Sequence, residues 1–225
     1  TGRWRGAVAA GSALVVALSV AMAARQDANE AGFWPMFRRT PALDGRALGP
    51  LPAVLRLHWS FQAKDSIESS PAIVGTTVYV GSMDGVLSAI ELSDGKLRWQ
   101  YQATGPIQES SPCVHNGLVY VGDLNGVFHA VDAATGKLRW SFKTDGEIRS
   151  SPNAVGDRVY VGSYDQRLYC LSAATGALVW KFATEGPVHG TPAIDKGVVY
   201  VSGCDETFRA FDAATGKLLF ELPLG

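Results

Sequence analysis

The chain has 225 residues, of which 47% are hydrophobic and 18% are charged, and its 20 Lys and Arg nearly balance its 21 Asp and Glu. This composition is typical of a folded globular domain. A formal net charge of −1 argues against a broad basic surface, and we therefore predict no nucleic-acid partner.

The first predicted element is an uncharged segment of 19 residues, residues 6–24, preceded by Arg3 and Arg5. One interpretation is a secretory signal peptide cleaved after Ala21-Met22-Ala23. The other is an uncleaved hydrophobic helix that anchors the chain and contacts the membrane, since about 20 apolar residues span a bilayer. The basic flank is N-terminal, so both interpretations predict an extracytoplasmic domain, in the periplasm or at the cell surface. We assign residues 1–25 to this segment.

Residues 26–54 are predicted to be a polar linker followed by an irregular arm. Residues 32–51 are rich in Pro, Gly and Arg and contain the aromatic residues Trp34 and Phe37. We expect these two side chains to pack the arm against the domain that follows, which covers residues 55–225.

Residues 55–62 (LRLHWSFQ) match the closing strand of a sequence repeat but lack the rest of it. We predict an outermost strand without its own sheet. In a ring of sheets, such a strand completes the last sheet and removes an open edge.

The repeat itself occurs four times, and each copy ends in an aromatic residue. The copies are residues 86–99 (VLSAIELSDGKLRW), 127–140 (VFHAVDAATGKLRW), 167–180 (RLYCLSAATGALVW) and 207–220 (TFRAFDAATGKLLF), and the closing aromatics are 41, 40 and 40 residues apart. A fixed period of about 40 residues is typical of solenoids and propellers.

The segment around the second copy indicates what one unit contains. Asn125-Gly126 is a strong hairpin signal, Gly136 suits the positive φ of a second turn, and Pro112 suits the first position of a strand. The predicted strands are residues 111–114, 118–122, 127–132 and 138–142. Four strands per repeat correspond to one propeller blade. The four complete blades are predicted at residues 69–104, 110–144, 150–184 and 190–222.

The pattern S-P-x-x-x-x-x-x-V-Y-V-G-x-x-x-G-x-x-x-A-x-D-A-x-T-G-K-x-x-W resembles the repeat of the PQQ-like (pyrroloquinoline quinone) β-propeller superfamily, from about Trp59 to the C-terminus. The resemblance implies an all-β propeller of four-stranded antiparallel blades. Members of this type close with eight blades, so three interpretations stay open: a fragment of an eight-bladed protein, an open arc completed by a partner, or a four-bladed ring.

The resemblance also implies a structural role for the closing aromatics and the turn glycines, which dock neighbouring blades in the quinoprotein family. A tryptophan suits such an interface because it buries a large apolar area and needs one hydrogen-bond acceptor. Phenylalanine in the last copy is compatible with packing. The predicted blade-docking residues are Trp99, Gly136, Trp140, Gly176, Trp180, Gly216 and Phe220.

The superfamily contains both quinoprotein dehydrogenases and non-enzymatic BamB-like scaffolds. Its enzymes stack PQQ against a Trp, hold a calcium ion with oxygen ligands, use an Asp base and carry two adjacent cysteines. Here Cys113, Cys170 and Cys204 are not adjacent, and their odd number gives no disulfide framework. The four histidines show no metal-ligand spacing, and the repeated acids lie at hairpin ends, where Asp caps turns. We predict no catalytic residue, no metal ligand and no cofactor.

The leading hypothesis is an extracytoplasmic, non-catalytic propeller that acts as a scaffold for a protein partner in the cell envelope. One alternative is a fragment of a PQQ-dependent alcohol or sugar dehydrogenase, which requires PQQ and calcium. Another is the sensor domain of a signalling protein anchored by residues 6–24. An open arc would leave the outer faces of its first and last blades exposed to water, so we also expect self-association of four-blade arcs.

Overall fold

The computed structural model describes residues 33–47, 49 and 53–225. The predicted N-terminal hydrophobic helix falls outside these residues. Within the described part we find no helix with the length and apolar character that a membrane span requires. The described part consists of strands, turns and irregular segments, and the all-β prediction is confirmed.

Sixteen strands in the described residues form four antiparallel sheets, each of four strands in chain order. Blade 1 contains β1 (Ala72–Val74), β2 (Thr77–Gly81), β3 (Val86–Glu91) and β4 (Leu97–Gln102). Blade 2 contains β5 (Cys113–His115), β6 (Leu118–Gly122), β7 (Val127–Asp132) and β8 (Leu138–Lys143). Blade 3 contains β9 (Asn153–Val155), β10 (Arg158–Ser163), β11 (Arg167–Ser172) and β12 (Leu178–Ala183). Blade 4 contains β13 (Ala193–Asp195), β14 (Val198–Ser202), β15 (Thr207–Asp212) and β16 (Leu218–Pro223).

The first strands of successive blades contact one another: β1 contacts β5, β5 contacts β9, and β9 contacts β13. These short strands therefore lie nearest the common axis. The fourth strands are outermost, and β4, β8 and β12 alternate exposed and half-buried residues. This radial order of four-stranded sheets defines a β-propeller.

A β-bulge recurs at the same place in every blade, between the third and fourth strands. In blade 2, Ala130 pairs with Trp140 and Val131 pairs with Leu138, so Arg139 is the extra residue. A bulge bends and twists its strand and re-aims the side chains beside it. In each blade, it lies next to the closing aromatic residue.

The hydrophobic core lies between successive blades. One cluster joins Tyr120 and Phe128 of blade 2 to Val159 and Leu171 of blade 3, and equivalent clusters join blades 1 and 2 and blades 3 and 4. Each blade thus contributes one apolar face to each neighbouring blade. The free cysteines Cys113 and Cys170 are buried, whereas Cys204 is exposed.

The arm crosses the inner strands of all four blades. The backbone of Trp34 exchanges two hydrogen bonds with Ile73 of β1, and the carbonyl of Pro35 accepts from the amide of Val114 in β5. The Pro41 carbonyl accepts from the amide of Ile194 in β13 at 2.6 Å and from Asn153 Nδ2 in β9 at 2.8 Å.

The anchoring of the arm differs from the expectation. The two aromatic side chains, Trp34 and Phe37, are only half-buried, whereas Met36 is buried within the cluster between blades 2 and 3. An unbranched thioether fills irregular gaps more easily than a rigid ring does.

The structure assigns no strand to residues 55–62, contrary to the expectation. Trp59 and Phe61 still pack on Val78, Val80 and Ile90 of blade 1. The described residues place no strand beside this segment, so its backbone forms no ladder. Its two leucines are exposed, Leu55 by 78% and Leu57 by 87%.

Candidate functional site

Each junction between successive blades is built around one carbonyl oxygen. The indole Nε1 of Trp99 donates to the Ala133 oxygen at 3.1 Å, and the hydroxyl of Tyr79 donates to the same oxygen at 3.1 Å. The equivalent donors are Trp140 (3.1 Å) and Tyr120 (2.9 Å) to Ala173, and Trp180 (3.0 Å) and Tyr160 (3.1 Å) to Ala213. A carbonyl with two lone pairs is satisfied by two donors from the preceding blade.

The turn glycines lie directly beneath the tryptophan rings. Gly136 has φ +70°, and a Cβ there would lie 2.8 Å from the Trp99 ring. The same distance is 2.5 Å from Gly176 to Trp140 and 2.5 Å from Gly216 to Trp180. Each predicted tryptophan thus contacts the predicted glycine of the next blade. These contacts support a docking role, which stays a prediction.

One docking pair was not predicted. Trp59 donates from Nε1 to the Leu92 carbonyl at 2.7 Å, and a Cβ at Gly95 would lie 2.9 Å from its ring. Its position 40 residues before Trp99 was the available signal. Phe220 has no following blade among the described residues, and its side chain is 48% exposed.

The recurring Ser-Ser-Pro links the blades near the axis. The amide of Ser111 donates to Ser151 Oγ at 3.0 Å, and the amide of Ser70 donates to Ser111 Oγ at 2.9 Å. Ser150 Oγ donates to the carbonyl of Gly190 at 3.0 Å. The repeated serines therefore carry hydrogen bonds between blades, and their hydroxyls are not arranged as nucleophiles.

Buried Asp123 is the centre of a polar network between blades 1 and 2. Its carboxylate accepts from the Thr104 hydroxyl at 2.5 Å and from His129 Nε2 at 3.0 Å, and it also accepts from the amides of Gly105 and Val127. Burial acts to raise the pKa of Asp123, but these hydrogen bonds outweigh it and hold the pKa below its ordinary value.

The same network continues to Tyr101, whose hydroxyl lies 2.9 Å from His129 Nδ1. Because Nε2–H donates a hydrogen bond to the carboxylate, Nδ1 accepts one from the tyrosine hydroxyl. This Tyr–His–Asp order is familiar from catalysis, yet both His129 and Asp123 are buried. At this repeat position the other blades carry Ser82, Ser163 and Gly203. Asp165 and Asp205 lie two residues later, at the position of Asn125, and bind Tyr169 and Arg209. A buried carboxylate whose two oxygens both accept hydrogen bonds within the protein indicates a structural role.

A cavity of about 320 Å³ opens near the axis, beside Phe37 of the arm. Its ionisable lining comes from the residue that directly precedes Ser-Ser-Pro in blades 1 to 3 and Gly-Thr-Pro in blade 4. These residues are Glu68, Glu109, Arg149 and His189. Sequence reasoning missed them, although a repeat position that is ionisable in every blade and differs in charge between blades was the available signal.

The axial residues are joined across three blades. His189 Nε2 lies 2.8 Å from a Glu109 oxygen, and the Tyr164 hydroxyl lies 2.8 Å from His189 Nδ1. Arg149 pairs with Glu147 at 2.8 Å, and its guanidinium lies 5.0 Å from the centre of the Tyr164 ring. The cavity therefore presents both signs of charge at its rim.

The fold and the repeated junctions define the chain as a β-propeller repeat protein. A family model described as outer membrane protein assembly factor BamB matches residues 56–156 and 129–223. The chain belongs to this family of PQQ-like propellers. No curated protein sequence matches the chain.

Several solved structures share the fold. BamB from Moraxella catarrhalis is 24% identical with a TM-score of 0.66, and the match covers 73% of this chain and 52% of that one. The quinohemoprotein alcohol dehydrogenase of Comamonas testosteroni is 20% identical with a TM-score of 0.76, covering 88% and 42%. A europium-containing methanol dehydrogenase is 21% identical with a TM-score of 0.73, covering 84% and 48%. The chain therefore spans about half the length of these proteins.

The residues of the axial cavity do not fit PQQ. The cofactor carries three carboxylates, and the described lining opposes them with Glu68 and Glu109 and offers one guanidinium, that of Arg149. This described lining contains one Phe, Phe37, and no Tyr or Trp. Among the described residues we find no group of three or more His, Cys, Asp or Glu that could hold a metal ion.

Proposed function

We propose that this chain is the propeller of an extracytoplasmic, non-catalytic protein that binds another protein of the cell envelope. One observation carries the proposal: the buried polar side chains are engaged in hydrogen bonds within and between blades. Asp123 and Ser150 are the clearest cases, since both are buried and bonded to the neighbouring blade. Such groups hold a scaffold together and are not free to bind a substrate.

The proposed recognition surface is the axial face. There the repeat is constant in backbone and variable in charge, with Glu68, Glu109, Arg149 and His189 at equivalent positions. Surface positions that vary on a constant framework supply specificity, because complementary charges select a partner and repel others. The family model's description, an assembly factor of the outer membrane, supports a protein partner in that setting.

The proposed location follows from the N-terminal segment. Residues 1–25 target the chain, residues 26–54 form linker and arm, and residues 55–225 form the propeller. Mass spectrometry of the mature protein tests this assignment, and we expect an N-terminus near Ala24. A mature chain that retains residues 6–24 would instead support the membrane-anchored sensor.

Crosslinking in the cell envelope tests the scaffold. A photo-crosslinker at position 68 is expected to capture one defined protein, and Arg149→Glu is expected to reduce that capture several-fold by reversing a charge on the same face. Lys96→Glu is the matched control, because Lys96 is exposed at a peripheral turn. Absence of a crosslinked protein, or equal capture by both variants, would contradict the proposal.

A separate assay addresses the dehydrogenase alternative. The chain is incubated with PQQ and Ca²⁺, and dye-linked oxidation of ethanol and glucose is followed. The scaffold proposal expects no turnover, because the lining repels the carboxylates of PQQ. Turnover above the rate of free PQQ would establish an enzyme.

We further propose that four-blade arcs associate through their open faces. Phe220 and Leu222 of blade 4 and Leu55 and Leu57 before blade 1 are exposed. Several hundred Å² of exposed apolar surface forfeits on the order of 10 kcal/mol, comparable to the roughly 5–15 kcal/mol net stability of a domain. Sedimentation equilibrium is expected to show a dimer or larger species. A stable monomer that unfolds cooperatively would contradict an open arc.

A further inference from the structure

A second cavity, of about 440 Å³, lies beneath the arm, at the opposite ends of the inner strands from the axial cavity. The arm covers one side with Phe33, Met36 and Arg39, and the ends of β1, β5 and β9 form the other side. The lining is mainly apolar. None of the described residues that line it carries a carboxylate.

Most polar side chains of this lining are already bonded within the propeller. The Tyr79 hydroxyl donates to the Ala133 carbonyl at 3.1 Å, and His115 Nε2 and Asn116 Nδ2 both donate to the carbonyl of Gly156, at 2.8 and 3.2 Å. These groups hold the blades together and have little capacity left for a ligand.

Arg39 is different. Its Nη1 donates to the Arg46 carbonyl at 3.2 Å, and within the described part of the chain it forms no ion pair. A guanidinium has five N–H donors, so most of its capacity is unused. Arg39 is therefore a cation with spare donors beside an apolar cavity.

The backbone fixes this arginine in place. Arg38 and Arg39 both have a positive φ, 54° and 75°, which residues other than glycine rarely adopt. The conformation is held by hydrogen bonds from the Arg39 amide to the Met36 carbonyl and from the Gly45 amide to the Arg38 carbonyl, both 2.9 Å. Buried Met36 ties the same turn to the core.

We propose that the cavity beneath the arm binds a medium-chain acyl carboxylate, with the acyl chain in the apolar cavity and the carboxylate paired with Arg39. Its volume falls within the range of roughly 300–1,000 Å³ that is usual for small-molecule sites. A ligand with one anionic end and no other hydrogen-bonding groups matches a lining in which Tyr79, His115 and Asn116 are already bonded. A peptide would bury amides that this lining cannot satisfy. The site is independent of the proposed scaffold function.

Isothermal titration calorimetry on the full chain tests the proposal with hexanoate, octanoate, decanoate, acetate and 1-octanol. We expect saturable 1:1 binding of octanoate, none of acetate, and about fourfold tighter binding for each added methylene. Arg39→Gln is expected to weaken octanoate about tenfold and to leave 1-octanol unchanged.

Two further variants complete the design. Arg38→Gln changes the neighbouring exposed arginine, which does not line the cavity, and should leave octanoate affinity unchanged. Val155→Trp fills the cavity from the end of β9 and should abolish binding, with circular dichroism as the check on folding. If this variant misfolds, the Arg39→Gln titration still decides. Equal affinities for octanoate and 1-octanol, no discrimination by Arg39→Gln, or tighter binding of N-acetyl-Leu-Leu-Phe would overturn the proposal.

Discussion

The junction between blades 2 and 3 and the outer face of blade 4 are built from the same repeat but differ in what covers them. At the junction, Trp140 lies on Gly176 and donates to the Ala173 carbonyl. At the outer face, Phe220 occupies the equivalent position and is half exposed. The closing aromatic is therefore stabilised by the blade that follows it. A repeat protein of this kind draws its stability from pairs of blades more than from single blades.

Truncating the two aromatics gives the largest expected contrast. Trp140→Ala removes a packed ring and a hydrogen bond and should lower the free energy of unfolding by about 4 kcal/mol. Phe220→Ala, the matched control, should cost about 1 kcal/mol or less at protein concentrations where the arcs are dissociated, because its ring is then half exposed to water. Urea denaturation measures both. Equal losses would show that blade 4 is covered in solution.

The glycine beneath the ring gives the next contrast. Gly176→Ala places a Cβ 2.5 Å from Trp140 at φ +72°, so clash and strain add, and we expect a loss of about 3 kcal/mol. Gly156→Ala has φ +59° and open space around it, so strain alone should cost about 1–2 kcal/mol. Melting temperatures of the two variants separate the cost of the steric clash from the cost of the backbone strain. A loss no larger than that of Gly156→Ala would argue against tight docking.

The junction of blades 1 and 2 adds a pH test. The folded-state pKa of Asp123 lies below its unfolded value, so its stabilisation is fully present above about pH 4 and is lost as pH falls through the depressed pKa. Asp123→Asn should cost about 2 kcal/mol at pH 7, and this difference should shrink toward zero as the pH is lowered toward 2. Urea midpoints at pH 7, 5, 4, 3 and 2 test the trend.

Asp145→Asn is the control for that series, because its side chain is 87% exposed. It should unfold within about 0.5 kcal/mol of the parent protein at each pH. A constant Asp123→Asn deficit from pH 7 to 2 would mean that the carboxylate charge does not stabilise the junction.

The serine bonds near the axis give the smallest effect. Ser150→Ala removes the hydroxyl that donates to Gly190 and should cost about 1 kcal/mol. Ser70→Ala changes an exposed serine of the same motif in blade 1 and should be nearly neutral. Urea midpoints distinguish the two variants. Identical midpoints would show that the Ser150 hydroxyl does not stabilise the junction.

The fold was predictable because each repeat contains residues that mark its turns. Asn125-Gly126 and Gly136 mark two hairpins, and the spacing of 40 residues multiplies that signal. The structure places Trp99, Trp140 and Trp180 on the predicted glycines. Turn residues that require a particular backbone conformation, repeated at a fixed spacing, are the features of a fold that can be predicted most directly from the sequence.

The remainder depends on contacts between blades, which spacing does not encode. Tyr79 shares the carbonyl that binds Trp99, and although a tyrosine recurs at this position in every blade, its spacing does not tell which group its hydroxyl meets. The axial charges and the anchoring role of Met36 depend on which side chains face the axis. Trp59 was within reach of the same spacing argument, because its distance from Trp99 equals one repeat.

The arm changes how the array can come apart. Stacked repeats that contact only their neighbours can lose structure progressively from one end. The Pro41 carbonyl accepts hydrogen bonds from Asn153 and Ile194, which lie more than 110 residues away in the sequence, so blade 4 cannot detach without breaking its bond to the arm. During synthesis the bond between Pro41 and Ile194 cannot form until blade 4 has been made. The entropy cost of bringing such distant residues together also makes this contact slow to form. The arm therefore forms its last contacts late, and those contacts make the four blades unfold as one cooperative unit.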